Sequence, residues 1–274
     1  MTARIDRKIG FVGGGNMAEA IIRSLLDAGL CLASDIRVSD TRRERSAHLH
    51  GSFGVEAVEA NGKCVAMSDI VILAIKPQNM GAVLDELSRE GISPGRLVLS
   101  IAAGITTASI ERALGGEAAV VRVMPNTPAL IGEGMSIWAR GSRVGERDAE
   151  YARCILGALG KEIEVGEELM NAATALSGSG PAYVFYLLEA MEKAGEELGF
   201  TAAQALAIST QTVIGAARLV ETSAQHPDEL RRKVTSPGGT TAAAIRVLDE
   251  KGVRKSFIAA IKAACARADE LSKI

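Results

Sequence analysis

The chain has 274 residues, a length that suits one large domain or two ordinary ones. Its 31 Lys and Arg against 33 Asp and Glu leave a net charge of −2, which argues against broad non-specific binding to nucleic acid. With 47% hydrophobic, 23% charged and only 3% aromatic residues, the chain is neither disordered nor low-complexity, and it offers no stacking platform for single-stranded nucleic acid.

The first half alternates β-rich runs with helical stretches. Residues 8–12 read as a buried strand, and residues 16–28 as a helix ending at Gly29. Residues 35–39 read as a second strand and 41–49 as a second helix. Residues 70–74 form a fully apolar strand, and 97–100 and 118–123 look like further strands. Such runs, apolar on both faces and separated by helices, imply βαβ units, a parallel sheet and an α/β fold. Residues 161–165 fit an edge strand, after which the β signals stop. The domain boundary therefore falls near Val165, with an α/β domain over 1–165 and an all-α domain over 166–274.

In the second half, residues 181–199 read as a helix whose first turns, around Tyr183 to Leu188, are apolar all round and expected to be buried on every side. Leu206, Val213 and Val220 repeat on one side of the next helix. Val253, Phe257, Ile261, Ala264, Ala268 and Leu271 form a stripe on the last. These stripes serve either an internal core or a subunit interface. The longest aliphatic run, residues 70–75, is far short of the roughly 20 residues that cross a membrane, and no apolar region of a secretory signal opens the chain. Cys31, Cys64, Cys154 and Cys265 are scattered, which fits reduced thiols in a cytoplasmic protein. His48 and His50 point to different sides of a helix and read as solvated surface. No metal site is expected.

Gly13-Gly14-Gly15-Asn16-Met17-Ala18 lies between the first strand and the first helix and fits G-x-G-x-x-A, a dinucleotide fingerprint. Gly13 permits a tight turn, Gly15 lets the backbone approach a pyrophosphate, and Ala18 allows close helix–strand packing. The helix N-terminus then presents its N–H groups to phosphate. After the second strand, Asp40 favours NAD through a ribose 2′-hydroxyl, whereas Arg42 and Arg43 favour NADP through a 2′-phosphate. Ala74-Ile75-Lys76-Pro77-Gln78 and Met124-Pro125-Asn126-Thr127-Pro128 follow two strands at the same sheet edge as the glycine turn, where ligands of open α/β sheets bind. In the helical half, Ser177-Gly178-Ser179-Gly180-Pro181 opens the apolar helix. Ser236-Pro237-Gly238-Gly239-Thr240-Thr241 precedes a helix expected from Ala242, and its glycines and hydroxyls make a nest of donors suited to a carboxylate.

These motifs, in this order, resemble the pyrroline-5-carboxylate reductase family. They are I-G-F-V-G-G-G-N-M-A at 9–18, A-I-K-P-Q at 74–78, V-M-P-N-T-P at 123–128, A-L-S-G-S-G-P-A-Y at 175–183 and S-P-G-G-T-T at 236–241. The resemblance implies an N-terminal Rossmann domain followed by an all-α dimerisation domain, and a homodimer that assembles further, often to a decamer. It implies hydride transfer from NAD(P)H to the C=N carbon of 1-pyrroline-5-carboxylate, giving L-proline. It places Thr241 at the ring nitrogen and Ser236, Gly238, Gly239 and Thr240 at the carboxylate. The candidate cofactor residues are Gly13, Gly15, Asn16, Met17, Ala18, Ser39, Arg42, Arg43, Ala74, Ile75, Lys76, Pro77, Met124 and Asn126, with NADP(H) preferred and NAD(H) possible. The segment Ser39-Asp40-Thr41-Arg42 departs from the Asn-Arg-Thr type of many bacterial members. A β-hydroxyacid dehydrogenase or another imine reductase on the same frame would carry a catalytic lysine on the helix over 181–199, where the one lysine is Lys193. An NAD(P)-sensing protein without activity would not need the 236–241 loop.

Overall fold

The computed structural model describes residues 4–272. Contacts divide them into a unit that runs to Ser179 and takes back the chain from Ala264, and a second unit, Gly180–Ala263. In the first, strands β1 (Ile9–Val12), β2 (Ile36–Ser39), β3 (Glu56–Ala57), β4 (Ile70–Leu73), β5 (Leu97–Ser100), β6 (Ala119–Met124), β7 (Gly134–Arg140) and β8 (Gly160–Glu164) form one sheet. The spatial order is β3-β2-β1-β4-β5-β6-β7-β8. Every neighbouring pair is parallel except β6–β7.

The central strands are buried on both faces because helices cover both. Helices α1 (Asn16–Asp27), α2 (Arg43–Phe53) and α6 (Glu146–Gly157) pack on one face around Phe11, Ile22 and Trp138. Helices α3 (Asn61–Ala66), α4 (Met80–Glu90) and α5 (Thr107–Ala113) pack on the other around Val71, Leu73 and Val98. This two-sided burial explains the continuous apolar runs of β1, β4 and β5. Strand β8 ends the sheet, as expected of the run over 161–165. Two strands lacked a clear sequence signal. β3 is two exposed residues, and in β7 mostly alternate positions are fully buried, so no continuous apolar run marks it.

The first unit also extends past the boundary expected near Val165. Helix α7 (Met170–Ala173) and a π-helical turn, Thr174–Gly178, pack against β6 and β7. Polar bonds tie this segment down. Arg122 on β6, only 3% exposed, donates to Asn171 Oδ1 at 2.8 Å and lies 3.5 Å from Glu167. Glu167 also accepts the Thr107 N–H at 2.7 Å and the Thr107 hydroxyl. Burial pushes the Arg122 pKa below its ordinary value, and Glu167 opposes that shift.

The second unit holds α8 (Gly180–Glu197), α9 (Ala202–Ser223), α10 (Pro227–Lys233), α11 (Thr240–Glu250) and the start of α12 (Val253–Leu271). Helix α9 starts with a reciprocal cap in which Thr201 and Gln204 each bond the other's backbone N–H. Helices α8 and α9 approach closely at Gly195, where a Cβ would come within 2.7 Å of the Ala205 Cβ. The burial expected all round the start of α8 is absent within one chain. Phe185 is 56% exposed and Tyr186 72%, because α9 covers only part of the helix. No described helix is long and apolar enough to cross a membrane.

The Arg122 cluster yields a stability test. Glu167→Ala leaves the guanidinium buried without its counter-charge, and is expected to destabilise the fold by about 2–4 kcal/mol. Urea unfolding measures it, and an unchanged midpoint would show that the pair contributes nothing.

Candidate active site

The chain leaves β1 through a turn that only glycine can make. Gly13 sits at φ +97°, and a Cβ there would lie 2.5 Å from the Ala74 carbonyl oxygen. Its N–H donates to Ser39 O at 2.7 Å, and the Ala74 N–H donates to Val12 O at 2.8 Å, which fastens the ends of β1, β2 and β4 together. Gly15 precedes α1 with an extended backbone and no side-chain cap, so the first N–H groups of α1 stay open. A Cβ on Gly15 would project into open space. A pyrophosphate fits such a cradle. Ala18 is fully buried against the sheet and Met17 packs partly beside it.

A cleft of about 680 Å³ opens in front of this turn. It collects Gly13, Gly15, Ser39 and Arg42 from the sequence-derived set, with Ala74, Ile75 and Lys76 from the end of β4. Lys76 has the extended backbone expected of a residue before proline, at φ −67° and ψ 144°, and Pro77 begins a short 3-10 turn beyond it. Arg43 lies instead on a neighbouring cavity of about 340 Å³, which shares Asp40 and Thr41 with the main cleft. Asn16 lines a separate small pocket beside Glu19 and Arg23.

Met124 and Asn126 are not among the cleft residues. Asn126 Oδ1 accepts the Met135 N–H at 2.9 Å, and its amide lies 3.4 Å from Ser177, so the side chain joins the β6 end, the β7 start and the π-helical turn. Met124 packs against Gly178 in that turn. Cleft residues that the sequence reading missed include Thr41, Asn61, Asn79, Val83 and Glu86. Thr41 and Asn61 come from separate elements, and Asn79, Val83 and Glu86 share one face of α4 and its N-cap, whose pattern reads equally as an ordinary amphipathic helix.

Asp40 is engaged within the chain. Its carboxylate accepts the Gly14 N–H at 2.8 Å and the Arg42 N–H at 2.8 Å, and its side chain is only 10% exposed. It braces the glycine turn and the start of α2. Arg45 is also engaged, with Gly14 O at 2.6 Å and with Glu19, whose pKa it lowers. The Arg42 side chain, by contrast, is 65% exposed and only 3.5 Å from Asp40 at its nearest.

In the helical unit, Gly238 takes φ +71°, a left-handed turn suited to glycine, and donates no side chain to crowd the loop. The Gly239 N–H donates to Ser236 O at 3.1 Å, and Gly239 precedes α11 without a side-chain cap. Helix α11 begins at Thr240 rather than Ala242, so Thr240 and Thr241 occupy its first turn, whose N–H groups are open. An anion fits this start. Lys193 pairs with Glu196 at 3.3 Å and is 67% exposed, which makes it a surface residue. No group of three potential metal ligands occurs among the described residues.

The strand order β3-β2-β1-β4-β5-β6 and the uncapped glycine turn define a Rossmann-type dinucleotide-binding protein with an appended helical unit. Residues 8–104 match the family model described as NADP oxidoreductase, coenzyme F420-dependent, and residues 167–271 match that of pyrroline-5-carboxylate reductase dimerisation. The chain is 43% identical over 267 residues to the pyrroline-5-carboxylate reductase of Pseudomonas aeruginosa, covering 97% of each. A solved pyrroline-5-carboxylate reductase from Coxiella burnetii matches with a TM-score of 0.92 at 38% identity, over 98% of this chain and 100% of that one. The pyrroline carboxylate reductase of Plasmodium falciparum, solved with NADP bound, matches at 0.89 and 28% identity, again over 98% and 100%. The chain belongs to the pyrroline-5-carboxylate reductase family.

The bracing role of Asp40 predicts that Asp40→Ala weakens NADPH and NADH alike. Losing its charge-assisted bond to the glycine turn should cost about 1–2 kcal/mol, or roughly 5-fold to 30-fold in Kd. Isothermal titration with both nucleotides checks this. A loss confined to NADH would assign Asp40 to the ribose instead.

Proposed function

We propose that the protein reduces the C=N bond of 1-pyrroline-5-carboxylate to give L-proline, with NADPH preferred over NADH. The observation that carries this reading is the uncapped start of α11 behind the Ser236–Gly239 turn, in a chain that also holds the open glycine cradle at α1. The first suits a small carboxylate and the second a pyrophosphate. The NADP-bound Plasmodium relative supports the cofactor assignment.

Gly13, Gly15, Asn16, Met17 and Ala18 hold the pyrophosphate at the start of α1. Ser39, Arg42 and Arg43 hold the adenosine end, the arginines at its 2′-phosphate. Ala74, Ile75, Lys76 and Pro77 line the other wall, and Met124 and Asn126 shape the loop after β6. When bound, the cofactor supplies a hydride. Ser236, Gly238, Gly239 and Thr240 bind the substrate carboxylate and fix the ring. The imine is readily protonated in water, so hydride addition to the iminium carbon sends the C=N π pair to nitrogen and gives the neutral amine, whose new lone pair accepts the Thr241 hydroxyl. Positioning and one well-placed donor carry most of such a step, so no strong acid or base is required. The protein works as a homodimer through its helical unit, and such dimers assemble to a decamer. Its place is the cytoplasm, which the absence of a disulfide among Cys31, Cys64, Cys154 and Cys265 supports.

NADPH oxidation with and without 1-pyrroline-5-carboxylate tests the activity directly. Thr241→Ala should lower kcat about 10-fold to 100-fold, corresponding to about 1–3 kcal/mol, with a smaller change in KM. Thr241→Ser should recover most of the rate. A near-normal kcat in Thr241→Ala, with hydride transfer rate-limiting, rules out this role.

Replacing Arg42 and Arg43 together by Ala should raise KM for NADPH about 10-fold or more and leave that for NADH nearly unchanged. Equal losses on both would show that the arginines do not read the 2′-phosphate.

A further inference from the structure

Helix α4 and its N-cap residue Asn79 present Asn79, Ala82, Val83 and Glu86 to the cleft, at the i, i+3, i+4, i+7 spacing of one helix face. Glu86 is the acidic group of that wall, and its orientation is fixed. It accepts from Asn61 Nδ2 at 2.9 Å, and Asn61 Oδ1 in turn accepts the Ser39 hydroxyl at 2.9 Å. Ser39 is 1% exposed at the end of β2, so this chain of bonds anchors the carboxylate to the sheet. Among the described residues no cation pairs with Glu86. A carboxylate has about four acceptor positions, and one is used, so the group requires a donor from whatever fills the cleft. Asp40, the other acid of the cleft, already receives two backbone N–H groups.

We infer that Glu86 reads the base of the cofactor by accepting a hydrogen bond from the exocyclic amine of adenine. This rests on the reading that the cleft holds NADP. A dinucleotide phosphate offers three kinds of donor, the ribose hydroxyls, the nicotinamide carboxamide and the adenine amine, and the bonds through Asn61 to Ser39 put Glu86 by the end of β2, on the adenosine side. The 2′ position carries phosphate, which a carboxylate repels, and Arg42 provides the opposite charge elsewhere in the cleft. Ala82 and Val83, one turn before Glu86, give the apolar surface that a flat base requires. Glu86 is then a specificity residue, set to reject a purine with a carbonyl at position 6, because two acceptors would face each other.

The test is isothermal titration of the full-length protein with NADP⁺ and with nicotinamide hypoxanthine dinucleotide phosphate, in which a carbonyl replaces the 6-amine and N1 carries a proton. The wild type should bind the hypoxanthine analogue at least about 10-fold more weakly. In Glu86→Gln the side-chain amide can donate to the carbonyl, so the two affinities should converge to within about 3-fold, mainly through tighter binding of the analogue. Equal wild-type affinities, or an equal loss of both ligands in Glu86→Gln, overturn the role of Glu86 and leave the cofactor cleft standing. Failure of the wild type to bind either nucleotide overturns the cleft and the role together.

Discussion

At the first turn of the chain, backbone must pass within van der Waals contact of backbone. The Ala74 carbonyl oxygen occupies the place where a side chain at position 13 would start, and the left-handed conformation at Gly13 excludes other residues on its own account. This close approach lets β1 end level with β2 and β4, joined through Gly13 N–H to Ser39 O and Ala74 N–H to Val12 O. The floor of the cleft, the exposed Arg42 and the open N-terminus of α1 all take their positions from that junction. Asp40 and Arg45 reinforce it from the side, one holding the Gly14 N–H and the other the Gly14 carbonyl. The site is therefore built from backbone geometry first, with side chains added at its rim.

The helical unit answers to a different constraint. Between residues 180 and 263 only Ala205 and Ser209 are buried, while Phe185, Tyr186, Leu206 and Ile208 each leave about half or more of their surface open. Covering one such side chain contributes about 1.5–3 kcal/mol. A second copy of the dimerisation domain is the natural cover, which makes the folded unit and the assembled unit hard to separate. The rule that an all-apolar helix is buried still applies to α8, with the burial supplied from outside the chain.

Much of this was legible in the sequence where chemistry and periodicity coincide. Parallel strands such as Ile70–Leu73 and Leu97–Ser100 announce themselves because both faces are covered. The glycine turn is legible because its context of strand and helix is local. The 236–241 loop stood out for its glycines and hydroxyls, though α11 starts two residues earlier than expected, since Thr240 and Thr241 are tolerated in a first helical turn. What stayed hidden depends on distant partners. Nothing near Asp40 in sequence says that Gly14 claims one of its oxygens, and nothing in residues 166–179 says that Arg122 and Asn126 hold them to the sheet. β7 was missed because its buried positions are mostly interleaved with half-exposed ones.

The central claim is that this chain delivers a hydride to the imine carbon of 1-pyrroline-5-carboxylate. Turnover with NADPH carrying two deuterons at C4 of the nicotinamide, followed by mass spectrometry and NMR of the product, tests it most directly. L-Proline with one deuteron at C5, the former imine carbon, is the predicted result. Oxidation of the nucleotide without proline, or proline without deuterium at C5, would contradict the account.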